Sequence, residues 1–149
     1  MAGKSDFLEA AWLELLLNGT PIANIADNAA SAPLTNLYVS LHTADPTDAG
    51  NQSASEAAYT GYARSVVARN PSSKAWGVTT VSGTTKAVPN AAINFPACTA
   101  GTGTATHFAI GTAASGTNNA LYTGAITNPI AYSAGVTPSF TTSSMISED

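Results

Sequence analysis

Charged side chains are scarce in this sequence: Asp, Glu, Lys and Arg make up 9% of its 149 residues, whereas a typical domain has about 25%. The five basic residues are scattered, which argues against nucleic-acid binding because no positive patch can follow a phosphate backbone. The single cysteine excludes an internal disulfide. No apolar run reaches the roughly 20 residues of a membrane-spanning helix. We also expect no secretory signal, since Asp6 and Glu9 follow Lys4 closely.

Hydrophobic residues are present in ordinary proportion, at 44% of the chain. Together with a net charge of only -4, this content argues against disorder and favours one folded domain. The surface must then be built largely from Thr, Ser, Asn, Gly and Ala. A neutral surface of this kind is typical of a protein that is covered by copies of itself or by partners.

One helix is predicted, over residues 5–18 (SDFLEAAWLELLLN). Ser5 can cap its start, and Asn18-Gly19 followed by Pro21 ends it. Apolar residues surround most of the helix, which predicts burial on more than one side. Either the helix packs only within its own domain, or one side docks on a neighbouring subunit. The predicted assembly interface consists of Phe7, Leu8, Trp12, Leu13, Leu16 and Leu17.

The rest of the chain changes to β-prone runs after a linker at residues 20–36. Strands are predicted at residues 37–41, 62–68, 76–81, 91–95, 107–111, 120–125, 130–133 and 139–146. Short strands separated by Gly, Pro and Asn favour an antiparallel fold. We therefore predict an all-β, jelly-roll-like antiparallel β-sandwich at residues 37–149, preceded by the linker and by one N-terminal helix at residues 1–19.

The stretch LYVSLHTADP contains Ser40, His42 and Asp45, the residue types of a nucleophilic triad. Residues two apart in a strand are about 7 Å apart, so we expect Ser40 and His42 to lie beyond hydrogen-bond reach. The interpretation adopted is structural: Asp45 opens a turn before Pro46, and His42 satisfies backbone groups at the end of the strand. We predict no catalytic residues and no enzyme activity.

The possible metal ligands are equally sparse. His42, His107 and Cys98 match no zinc spacing. The run DPTDAGNQS lacks acidic or amide side chains at two positions that a calcium loop requires. No metal and no cofactor are predicted.

Two other features lie among the strands. Arg64 is predicted to pair with Glu56 or Asp48, in an exposed ion pair worth less than about 1 kcal/mol. The aromatic residues are predicted to lie in the core or across strands, although Tyr59, Tyr62 or Trp76 could instead stack on sugar rings.

The order of several segments adds a resemblance. The segments that carry the resemblance are, in order, FLE and LL in the helix, then LYVSLHTADPTDAG, YTGYARSVV, INFPACTA, THFAIG and LYTGAIT. Through these segments the chain resembles a family of short bacteriophage virion structural proteins that are often labelled tail-fibre proteins. The resemblance covers nearly the whole chain. It implies a non-enzymatic component of the particle and supplies no catalytic residues. Faces rich in Thr and Ser suit a protein that is made outside any export route and assembled in the host cytoplasm.

Three functions are compatible with these observations. Our main prediction is an oligomeric capsid decoration (cement) protein on the head exterior, because the chain lacks the repeats of a fibrous shaft. The alternative is a tail-fibre or tail-adaptor module, and a carbohydrate-binding domain is the third. The predicted partners are further copies of the chain, with a trimer as one option, and the major capsid protein or other virion proteins. Neither nucleic acid nor a membrane is predicted as a partner.

Overall fold

The computed structural model of the chain describes residues 5–22, 25–26, 33–47 and 51–148. An α-helix, α1, spans Asp6–Leu13, and a π-helical turn continues it over Glu14–Asn18. The strands are β1 Asn36–His42, β2 Ser65–Ala68, β3 Trp76–Val81, β4 Thr84–Pro89, β5 Ile93–Asn94, β6 Gly103–Gly111, β7 Ala120–Tyr132, β8 Ser139–Phe140 and β9 Ile146–Glu148. The prediction of an all-β antiparallel fold with one short N-terminal helix is confirmed, and the sheets are consistent with a β-sandwich.

The strands form three sheets. The orders are β2-β1-β6-β7, β3-β4-β9 and β5-β8. The chain also divides into two compact units: unit 1 comprises residues 1–36, 68–92 and 140–149, and unit 2 comprises residues 37–67 and 93–139. Each unit is therefore built from segments that are distant in sequence. Of the predicted linker at residues 20–36, the structure describes residues 20–22, 25–26 and 33–36. The predicted domain boundaries stay a prediction.

In unit 1, the helix packs against the hairpin of β3 and β4. The Ser5 hydroxyl accepts a hydrogen bond from the Leu8 backbone N–H and so caps the helix. At the other end, Gly19 has a positive φ of 72° and its N–H bonds back to the Leu15 carbonyl. The predicted start and end of the helix are thereby explained by capping chemistry.

Two side chains anchor the end of the helix within unit 1. The Arg69 guanidinium donates to the carbonyls of Leu15 (2.6 Å) and Leu16 (2.7 Å) at the end of the helix, where carbonyls run short of regular helical partners. Asn18 is fully buried, and its amide both donates to the Trp76 carbonyl (3.1 Å) and accepts from the Trp76 N–H (3.3 Å). The helix is thus tied to β3 through backbone groups as well as through apolar packing.

In unit 2, β1 pairs antiparallel with β6, and β6 pairs antiparallel with β7. Side chains on both faces of β1 are buried. Leu37, Val39 and Leu41 are buried on one face, and Ser40 and His42 are buried on the other. Burial on both faces explains why β1 lacks a clean alternation of polar and apolar residues.

The strand predictions differ from the structure at several places. The predicted strand at residues 139–146 is two strands, β8 and β9, which belong to different sheets. The hairpin partner β4 was not predicted, because Ser82-Gly83 was read as one part of a longer loop. Both turn residues have positive φ (53° and 79°), as a two-residue hairpin turn requires. The predicted strands at 120–125 and 130–133 are one strand, β7, whose pairing with β6 is irregular between Ala105 and His107.

Candidate functional site

The outer face of α1 is apolar and open to solvent. Phe7 is 69% exposed, Trp12 is 42% exposed and Leu8 is 37% exposed. At about 100° per residue these three side chains fall on one side of the helix. We name these three residues the helix patch. Large apolar side chains grouped at one place on a surface commonly mark an interaction site.

The opposite face of the helix is buried. Glu9, Leu13 and Leu17 are four residues apart in sequence and are all buried, the two leucines completely. Leu16 is half-buried. Of the six residues predicted to form an assembly interface, Leu13 and Leu17 therefore lie in the core, and Phe7, Leu8 and Trp12 lie at the surface. No observation on this chain tests the interface itself, which stays a prediction.

Glu9 departs from the pattern of an ordinary surface helix, since it lies on the buried face beside Leu13 and Leu17. A carboxylate faces inward at Glu9, and one of its oxygens, Oε2, is buried without a hydrogen-bond partner. Two aromatic rings and a leucine face outward instead. Burying a carboxylate while exposing apolar area costs free energy twice. Covering the helix patch with another protein would remove the second cost.

Ser40 and His42 are in contact, which corrects the prediction that they lie beyond hydrogen-bond reach. The Ser40 hydroxyl is 2.8 Å from Nε2 of His42, and Nδ1 of His42 is 2.7 Å from the Ala54 carbonyl. The prediction was wrong because the spacing along a strand separates Cα atoms, while an imidazole can lean along the strand toward its neighbour. Since Nδ1 faces an acceptor, it carries the proton, and Nε2 accepts from Ser40.

This Ser–His pair has the connectivity of a nucleophile and base, with a backbone carbonyl in the third position. Both side chains are nevertheless completely buried, so a substrate has no path to the hydroxyl in this structure. Asp45 is not the third member: its carboxylate accepts from the Thr47 N–H (2.8 Å) in the predicted turn. Burial lowers the pKa of His42, although the Ala54 carbonyl and the Glu56 carboxylate oppose the shift.

The candidate metal ligands do not converge. His107 is the cross-strand partner of His42, and its ring bonds to the Thr106 hydroxyl. The buried Cys98 thiol donates to nearby backbone carbonyls. Across the described residues, no three His, Cys, Asp or Glu side chains come together to hold a metal ion.

Arg64 forms a buried cluster in unit 2. It pairs with Glu56 through two parallel bonds, from Nε (2.7 Å) and from Nη2 (2.8 Å), and its side chain is only 2% exposed. It also donates to the carbonyls of Ala113 (2.9 Å) and Gly116 (2.8 Å) in the loop before β7. The predicted partner Glu56 is thus found, but the prediction of an exposed pair was wrong. The carbonyls of Ala113 and Gly116 belong to a loop that is distant from Arg64 in sequence, so local patterns could not predict these contacts.

The aromatic residues proposed for sugar binding lie mostly inside the protein. Trp76 and Tyr59 are buried. The Tyr62 hydroxyl donates to Glu56 (2.9 Å) and accepts from the Leu41 N–H (3.1 Å). Burial raises the pKa of Tyr62. Since the rings of Trp76 and Tyr59 are covered, they offer no stacking surface to a sugar.

The described polar clusters thus hold strands and loops together, and the helix patch is a cluster of exposed apolar side chains. The structure describes no helix that is long and apolar enough to cross a membrane.

The chain belongs to the family described as podophage GP4 fiber I protein gp80, whose model matches residues 3–147. No curated protein matches the chain. The resemblance to phage tail-fibre-like structural proteins is confirmed by this match, and the family supports a structural role in the virion. Its name agrees with the fibre alternative and not with our main prediction of capsid decoration.

Proposed function

We propose that this protein is a non-enzymatic structural component of a phage tail fibre, and that it attaches to another protein of the tail through the helix patch. The family match supports the fibre assignment. The observation that carries the attachment is the exposure of Phe7, Leu8 and Trp12 on a helix that buries Glu9 on its other side.

The size of the helix patch is suited to such a contact. Fully burying a Phe, Leu or Trp side chain contributes roughly 1.5–3 kcal/mol each. Each of these side chains is already partly covered in the free chain, so the free energy gained on binding is smaller than this value. The patch would act as an apolar anchor, and aromatic anchors contribute most of the binding energy in many protein interfaces. An apolar groove on the partner is the surface chemistry that fits it.

The location is tested on purified phage particles that contain this protein. Antibody labelling followed by electron microscopy should place the label on the tail, and quantitative mass spectrometry should give a few to dozens of copies per particle. Label over the head with hundreds of copies would instead support capsid decoration and overturn the fibre assignment.

The attachment is tested by replacing the three residues of the helix patch with serine in one variant. Val81→Ser is a matched control, because Val81 is 54% exposed and lies in a strand of the same unit. We expect the triple variant to fold, by circular dichroism, but to be lost from particles, while the control is incorporated normally. Normal incorporation of the triple variant would refute the attachment role. Deleting residues 1–18 is a poorer test, since it also removes the core residues Leu13 and Leu17.

A further inference from the structure

Asn18 and Gly19, at the end of the helix, form the only Asn-Gly pair in the sequence. An asparagine loses its amide most readily before glycine, because no side chain on the next residue hinders the backbone nitrogen. That nitrogen attacks Cγ of the asparagine, the bond from Cγ to Nδ2 breaks, and the backbone proton leaves with ammonia. Water then opens the resulting succinimide ring and yields aspartate or isoaspartate. In the unfolded chain, Asn18 is therefore the asparagine most prone to deamidation.

The folded structure holds the same pair in an unreactive arrangement. Asn18 is completely buried, and its Nδ2 donates to a Glu14 carboxylate oxygen (3.0 Å) and to the Trp76 carbonyl (3.1 Å). The Gly19 N–H donates to the Leu15 carbonyl at 3.1 Å, so the attacking nitrogen is engaged by the helix. Because deamidation needs water and a free backbone nitrogen, the end of the helix must first separate from β3.

Neither product of deamidation can replace Asn18 in the closed structure. An aspartate has no N–H to donate to the Trp76 carbonyl, and it would place a second negative charge beside Glu14. Isoaspartate also adds a carbon atom to the backbone, directly before Gly19, whose φ of 72° completes the helix cap. Each product therefore loses contacts that tie the helix to β3.

We infer that Asn18 is a site of spontaneous, irreversible deamidation, and that conversion there prevents the helix from docking again on β3. A chain whose helix stays docked keeps its amide, whereas a chain whose helix end opens is permanently damaged. Opening of this one junction thus limits the lifetime of the folded chain. The inference concerns unit 1 alone, and it holds whether or not the protein is part of a tail fibre.

Peptide mapping by mass spectrometry measures the conversion in the purified full-length chain at mildly alkaline pH. In denaturing urea, Asn18 should convert faster than any other asparagine. In buffer its conversion should be slower by about 100-fold or more, because opening must break the three hydrogen bonds of its amide. The exposed Asn118 is an internal control whose rate should differ far less between the two conditions. Equal rates for Asn18 in urea and in buffer would overturn the inference.

A substitution that loosens the end of the helix tests the need for opening. Arg69→Met removes the donors to the Leu15 and Leu16 carbonyls, and it should speed the conversion of Asn18 in buffer about ten-fold without changing the rate in urea. Lys86→Met is the matched control, since it removes a cation from β4 in the same unit and should leave the rate unchanged. Rates in buffer that are the same for both variants would contradict the inference.

Gly19→Asn separates the chemistry from the fold, because asparagine also adopts positive φ at the end of a helix while its side chain hinders the attack. In urea, Asn18 of this variant should convert far more slowly than in the unmodified chain. After long incubation and removal of urea, the variant should refold, whereas unmodified chains that have converted should stay unfolded or unfold at a lower urea concentration. Converted chains with the same urea midpoint as intact chains would refute the inference.

Discussion

Replacing Arg64 with methionine should destabilise the folded protein by about 3 kcal/mol. The substitution keeps an unbranched side chain of similar length but removes the guanidinium. That group donates two parallel hydrogen bonds to Glu56 and one each to the carbonyls of Ala113 and Gly116. The variant would leave a carboxylate and two loop carbonyls without their donors.

The magnitude follows from the burial of the two partners. Breaking a buried ion pair by removing one partner costs about 3–5 kcal/mol. The Arg64 side chain is 2% exposed, whereas that of Glu56 is 18% exposed and keeps the hydrogen bond from Tyr62. Water and Tyr62 can therefore solvate part of the abandoned charge, which places the expected loss at the lower end of that range.

Chemical denaturation followed by circular dichroism measures this loss. Arg64→Lys should recover only part of the stability, because an ammonium cannot make the planar two-bond contact. The double variant Arg64→Met with Glu56→Gln should be more stable than the sum of the two single losses implies, since no buried charge is left unpaired. A loss below about 1 kcal/mol for Arg64→Met, as for an exposed pair, would refute the reasoning.

Three further predictions concern stability. The pKa of His42 is lowered in the folded protein, so the unfolded chain binds more protons as the pH falls below about 6.5, and the free energy of unfolding should decrease by at most about 1.4 kcal/mol per pH unit. Thermal unfolding of His42→Gln should lack this pH-dependent loss. A pH profile of His42→Gln that matches that of the unmodified protein would contradict the prediction. Asn18→Asp should lower the free energy of unfolding by about 3 kcal/mol, measured in urea, because a carboxylate cannot donate to the Trp76 carbonyl and would face the Glu14 carboxylate. A loss near zero would show that the hydrogen bonds of Asn18 contribute little. Lys74→Ala should cost less than about 1 kcal/mol, since its bond to Glu14 is at the surface, and a larger loss would mean that this pair is shielded from solvent.

Local patterns predicted several elements correctly. The cap at Ser5 and the stop at Asn18-Gly19 bounded the helix, and β-prone runs marked β1 and β3 within a residue or two. These signals lie within a few residues of one another in sequence, and capping and turn chemistry act over that range.

The orientation of the helix could not be predicted in the same way. Its apolar residues surround most of the axis, so periodicity alone could not select the side that faces the core. In the structure the inner stripe contains Glu9, Leu13 and Leu17. The contact with β3 and β4 selects that face, and β3 begins some 60 residues after the helix.

Sequence alone determined the scarcity of charge, the helix boundaries, the β-rich class and the resemblance to a phage structural family, because composition and short-range patterns carry each of these. Only the tertiary structure decided that Arg64 is buried, that Ser40 and His42 are in contact but inaccessible, and that Phe7 and Trp12 face solvent. Those properties depend on the groups that distant segments bring beside each residue, and burial and partner geometry determine the free energy of a side chain more than its own chemistry does.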